Sequence, residues 1–150
     1  MAEASLLGQA IRLLARREYA RAELEQKLVA KGWESAEVRA ALDELTARGY
    51  LSDARYARAL AGQKAGRYSR RRIAGELKAR GVARDDIETA LAGSGIDDDA
   101  ALRALWQRRF GKAPENEREK ARQVRFLQSR GFALSAILRF LRGAGTEPDA

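Results

Sequence analysis

Apolar residues recur along the chain at the three- and four-residue spacings of a helix face, and they do so in nine separate stretches. Leu7, Ala10, Ile11 and Leu14 form one such stripe. Tyr56, Ala57, Leu60 and Ala61 form a second, and Ala101, Leu102, Leu105 and Trp106 a third. Each stripe is followed by two more helical segments separated by a glycine. No alternating apolar/polar run suggests a strand. The pattern predicts an all-α protein.

The glycines define a repeat. Gly32, Gly81 and Gly131 lie 49 and 50 residues apart. Four residues before each stands Leu28, Leu77 or Leu127, and one before stands Lys31, Arg80 or Arg130. One after stands Trp33, Val82 or Phe132; six after, Val38, Ile87 or Ile137; ten after, Leu42, Leu91 or Leu141. In one departure, Leu24 and Ile73 are matched by Gln123, with apolar Val124 beside it. A glycine just past a helix end adopts a left-handed conformation without a Cβ clash, and the apolar residue after it packs back on the ending helix. All three glycines are therefore expected at positive φ, between two amphipathic helices.

With a preceding helix in each repeat, the reading is three tandem three-helix, helix-turn-helix-like modules in an elongated, curved array. The expected boundaries are 1–50, 51–95 and 96–143, with a disordered tail at 144–150. A module of this size buries little alone, so neighbours supply part of each core.

Composition changes the picture in what it removes. The 150-residue chain has no His and no Cys, so the usual general base, thiol nucleophile and soft metal ligands are missing. No phosphate-loop or dinucleotide-binding motif is present. The run Asp97, Asp98, Asp99 reads as a helix start, where carboxylates cap the chain, rather than as a metal site. The expectation is a non-enzymatic protein without cofactor. It has no 18-residue apolar run and no leader segment is expected; the absence of Cys fits a cytoplasmic protein without disulfides, and a monomer is expected.

Charge is more informative. The net of +8 is uneven. Residues 1–50 carry 8 basic and 8 acidic side chains, 51–95 carry 10 and 5, and 96–150 carry 11 and 8. The densest cluster is Lys64, Arg67, Arg70, Arg71 and Arg72. Ser69 is the expected N-cap of a helix opening with three arginines, which oppose the helix dipole. A phosphate backbone or a carboxylate-lined partner would explain that choice. A second patch is Arg108, Arg109 and Lys112, after Trp106. The first set is expected to converge on one side of module two. Replacing Arg70, Arg71 and Arg72 by Ala is expected to leave stability level or slightly raised.

Several stretches, in order, carry a family resemblance. "ARREYARAELEQKLVAKGW" opens the series, and "LTARGYLSDARYARALA" follows, with Gly49, Tyr50, Leu51, Asp53, Tyr56 and Ala57. "RRIAGELKARGV", "LWQRRFG" and "FLQSRGFALSAILRFL" complete it. Along nearly its whole length the chain resembles the RecX family of recombinase regulators. Members often place Ser, Asp or a similar cap two residues past the repeat glycine; here Glu34, Ala83 and Ala133 stand there. The resemblance implies binding to the RecA recombinase filament, restraint of its ATPase and of strand exchange, and weak, non-specific binding to single- and double-stranded DNA. Two other readings stay open: a helix-turn-helix transcription regulator, and a helical scaffold for protein partners. The first is disfavoured because the last helices of modules one and two offer mainly acidic side chains to a groove, such as Glu37, Asp43, Glu44, Asp85 and Asp86.

Overall fold

Each repeat glycine ends a helix. In the computed structural model, which describes residues 5–144, Gly32, Gly81 and Gly131 have φ of 107°, 82° and 95°. The next residue's N–H returns to the ending helix in every copy. Trp33 donates to the Leu28 carbonyl (3.3 Å), Val82 to Leu77 (3.1 Å) and Phe132 to Leu127 (3.3 Å). These are the bonds of a left-handed helix stop.

The described residues form nine helices and no strand. They are α1 (Leu6–Arg16), α2 (Arg21–Ala30), α3 (Ser35–Ala47), α4 (Asp53–Lys64), α5 (Arg70–Ala79), α6 (Arg84–Gly93), α7 (Asp98–Arg109), α8 (Glu117–Ser129) and α9 (Leu134–Ala144). The expected disordered tail, 144–150, lies outside the described residues except for Ala144, which still belongs to α9. Helices of 10 to 13 residues are marginal alone, so packing holds them.

That packing falls into three clusters, one per group of three helices. The first gathers Ala10, Leu24, Leu28, Val38, Leu42 and Leu45 under Trp33 and Leu51. The second gathers Tyr56, Ala57, Ile73, Leu77, Ile87 and Leu91, and borrows Ala20 from the start of α2. The third gathers Leu102, Leu105, Trp106, Leu127, Phe132 and Ile137. Each buried Leu or Ile contributes roughly 2 kcal/mol by area. Gln123, the polar departure from the repeat, is only 4% exposed. Its Oε1 accepts from Trp106 Nε1 (2.8 Å) and its Nε2 donates to the Lys112 carbonyl (3.1 Å). The amide is there to satisfy an indole that the other modules lack at that position.

Caps follow the sequence in part. Ser69 Oγ accepts from Arg72 N–H, and Asp97 accepts from the N–H groups of Asp99 and Ala100. Glu34 and Ala83 stand at the N-caps of α3 and α6 without a side-chain cap. In α6 the first-turn Asp85 and Asp86 offset this through the helix dipole.

The modules are joined by a repeated device. The first residue of α2, Arg21, donates its backbone N–H to Asp53 Oδ1 (2.7 Å), on the first residue of α4. The first residue of α5, Arg70, donates likewise to Asp98 Oδ1 (2.9 Å), on the first residue of α7. Thus a carboxylate of the following module caps the second helix of the preceding one. Beside each cap, the following module's turn glycine meets the same helix start. A Cβ on Gly81 would lie 2.9 Å from Ala22 Cβ, and one on Gly131 only 2.3 Å from Ser69 Oγ. Ser69 also donates Oγ–H to the Gly131 carbonyl (2.8 Å) and N–H to the Arg130 carbonyl (3.0 Å).

At the first junction Glu23 joins the two modules, bonding Arg17 at 3.0 Å and closing on Arg80. Burial pushes the Glu23 carboxyl up, but Arg17, the Ala20 N–H and the Arg80 charge together hold it below its usual 4.5.

Two predictions follow from these junctions. Gly131→Ala lowers the melting temperature clearly more than Gly32→Ala. Both pay about 1–2 kcal/mol for the left-handed backbone, but only the first must also displace Ser69 and Arg72. Equal losses in thermal melts would refute the close-packing account. Because Glu23 is more acidic folded than unfolded, its contribution is complete above 4.5 and is lost as pH falls through the lower folded value. Glu23→Gln is therefore less stable than the parent at neutral pH, with a gap that narrows in acid; thermal melts across pH measure it.

Candidate anion-binding junction

The second junction has the geometry of the first and the opposite charge. Arg72 occupies the repeat position of Glu23, one residue before Ile73 and Leu24 respectively. Arg130 occupies that of Arg80, one residue before the turn glycine. Where Glu23 bridges two arginines, Arg72 instead donates to the Ser129 carbonyl. The cation at the following turn, Arg130, is left without a carboxylate among the described residues.

Aromatic rings hold the cations there. The Arg130 guanidinium lies 5.0 Å from the ring centres of both Tyr68 and Phe126. Arg109 lies 5.1 Å from Phe126 on α8. Lys64 and Arg72 lie 4.9 and 5.3 Å from Tyr68. The result is an alternating row of cations and rings across the junction. Each contact is worth about 0.5–1 kcal/mol at an exposed site, which is enough to orient a guanidinium without neutralising it. Arg67, Leu105, Arg108, Arg109, Phe126 and Arg130 line a cavity of about 280 Å³. No carboxylate lines it. Arg108 also donates to the Gly66 carbonyl (3.3 Å), tying α7 to the α4–α5 loop.

The sequence candidates divide into three groups here. Arg67, Arg108 and Arg109 meet in the cavity. Lys64, Arg71 and Arg72 line an adjoining groove of about 630 Å³ with Tyr68 and Gln128, and Lys64 is partly neutralised by Glu76 at 3.4 Å. Arg70 and Lys112 do not face either. The Arg70 guanidinium turns away to the carbonyls of Leu91 (3.3 Å) and Ile96 (3.1 Å). Lys112 is exposed beside Glu115 at 3.9 Å. The expected convergence of the first cluster on one side is thus corrected: the helical rotation between Arg70 and Arg72 sends them to different partners. The dipole cost of three opening arginines is also met inside the chain, by Asp98.

Three residues of this site were not among the sequence candidates: Arg130, Tyr68 and Phe126. By sequence Arg130 is simply the basic residue before the third repeat glycine, at a helix end where a cation suits the dipole anyway. The available signal was the exchange of Glu23 for Arg72 between repeats, which strips the following cation of its partner.

The guanidinium groups of Arg67, Arg71, Arg72, Arg108, Arg109 and Arg130, held close together without a carboxylate partner among the described residues, favour an anion with several oxygens. Arg matches phosphate by its planar, forked donors.

Comparison with known proteins matches each module to a family model. Residues 7–45 match "RecX, first three-helix domain", 52–91 the second and 97–141 the third. The chain is 43% identical to the regulatory protein RecX of Leptothrix cholodnii, over 97% of this chain and 92% of that one. It is 45% identical to the regulatory protein RecX of Chromobacterium violaceum, over 97% and 93%. The crystal structure of RecX from Lactobacillus salivarius superposes with a TM-score of 0.69, covering 94% of this chain and 95% of that one at 16% identity, which supports the fold.

The contacts at α5 reverse the expectation for its arginines. Arg70→Ala removes bonds to two carbonyls and lowers stability by about 1–3 kcal/mol. Arg71→Ala, on an exposed side chain, stays within about 0.5 kcal/mol of the parent. Denaturant titration measures both, and an unchanged Arg70→Ala would contradict the assignment.

Proposed function

The chain belongs to the RecX family, and from that premise we propose that it is a non-enzymatic negative regulator of a RecA recombinase. It binds the recombinase–DNA filament and restrains ATP hydrolysis and strand exchange. The arginine-rich junction between the second and third modules rests on phosphates, and this surface also gives weak, non-specific binding to free single- and double-stranded DNA. It acts as a monomer in the cytoplasm. No helix among the described residues is long and apolar enough to cross a membrane, and no group of three or more Asp or Glu among them is placed to hold a metal ion.

One observation carries the reading: Arg67, Arg108, Arg109 and Arg130 share a cavity with no carboxylate lining it. Backbone phosphates supply the missing negative charge and release condensed counterions when they do so. Blocking a filament by binding needs no catalytic group. A transcription regulator would instead need a base-reading helix. The third helices of the first two modules open on Glu37 and on Asp85 and Asp86, which a groove lined with phosphates repels.

The triple variant Arg67→Ala/Arg109→Ala/Arg130→Ala weakens inhibition of recombinase ATPase on single-stranded DNA at least several-fold. It lowers the log–log salt slope of DNA binding by about one per phosphate contact removed. Arg139→Ala, on α9, serves as the control. Parental inhibition by the triple variant at physiological salt would refute the assignment. A strong preference for one DNA sequence would favour the transcription-regulator reading.

A further inference from the structure

The two junctions show what a module's outer face is built to receive, and among the described residues nothing covers the same face of the first module. On the second module this face is formed by Tyr56, Ala59, Leu60 and Gln63 of α4 and by Arg80 before the turn glycine. Arg17, Glu18 and Glu23 of the preceding module come up against it. The Glu23 carboxylate closes on Arg80, and Ala22 sits against Gly81.

The corresponding face of the first module follows by register. Ala10 and Ala57, both fully buried, mark the same point of α1 and α4. Gln9, Arg12, Leu13 and Arg16 therefore stand where Tyr56, Ala59, Leu60 and Gln63 stand, and Lys31 stands where Arg80 does. These residues line an open groove of about 830 Å³ together with Gly32 and Trp33. A Cβ on Gly32 would meet nothing within 4 Å, unlike those on Gly81 and Gly131. Arg12, Arg16 and Lys31 are exposed, and none makes an ion pair among the described residues. No acidic side chain lines the groove. Trp33 is half-buried and anchored, its Nε1–H donating to Gln9 Oε1 at 3.1 Å.

We propose that this groove is a docking site for an acidic first turn of a helix on a protein partner, entering as the α2 start enters the second module. A glutamate of the partner meets Lys31 and Arg16 as Glu23 meets Arg80, and a small residue rests on Gly32. A second copy of this chain does not fit. Among the described residues the second helix not capped by a following module is α8, which begins one turn earlier relative to its glycine than α2 and α5 do. At the register of Glu23 it presents Arg122, and at that of Arg21 it presents Lys120. Cations would meet cations.

The test uses the full chain and a fluorescently labelled, capped, alanine-based helical peptide with three glutamates in its first turn. A matched peptide carries three lysines instead. Anisotropy saturates with the acidic peptide, Trp33 emission changes with it, and binding is at least tenfold weaker for the lysine peptide. The exposed pair Arg16→Glu/Lys31→Glu loses the acidic peptide by at least tenfold, whereas Arg109→Glu, at the other junction, keeps it. Failure of the acidic peptide to saturate, equal binding of both peptides, or retention by the Arg16→Glu/Lys31→Glu variant overturns the proposal. So does a single-stranded oligonucleotide that binds the groove with the same dependence on Arg16 and Lys31 while the peptide does not.

Discussion

The architecture depends on a glycine that has two duties. At Gly81 and Gly131 the left-handed backbone stops a helix, and the missing Cβ lets the start of the preceding module's helix lie against the turn. The second duty is as strict as the first, because Ser69 Oγ and Arg72 Cβ occupy the space a methyl group on Gly131 would need. Once the helix start is pressed against the turn, its first N–H groups are cut off from water on that side and require an acceptor. Asp53 and Asp98 supply it from the next helix along. Stop, stacking and cap are consequences of one close approach, and they fix how consecutive modules meet.

That fixed geometry makes charge at the junction the variable quantity. With Glu23 at the first junction, the cations around it are matched, and the interface is a neutralised contact between modules. With Arg72 at the second, the same approach gathers Arg130, Arg109, Arg108 and Arg67 without a counter-charge. Tyr68 and Phe126 make this tolerable by offering ring faces to the guanidinium groups, and exposure to water screens the rest. A single exchange of sign in a repeated framework thus separates a neutralised joint from a surface of unmatched cations. The face of the first module, which has the framework and the cations but no acidic side chain lining its groove, follows the same logic.

Much of this was legible in the chain itself. The helix stops, the caps at Ser69 and Asp97 and the apolar stripes are local: each depends on residues within about one or two helical turns, and periodicity records them directly. The spacing of three glycines then counted the modules, and the order of short motifs was enough to name a family resemblance. What only the tertiary structure decided is the fate of individual charges. Arg70 and Arg72 are near neighbours in sequence, yet one reaches carbonyls 21 and 26 residues away and the other a carbonyl 57 away. Arg130 finds its rings at Tyr68, in another module, and at Phe126 on its own helix. A local pattern records which cations exist; whether each is neutralised, turned inward or left for a ligand depends on which module is stacked against it, and that is set by the close approach at the turn glycine.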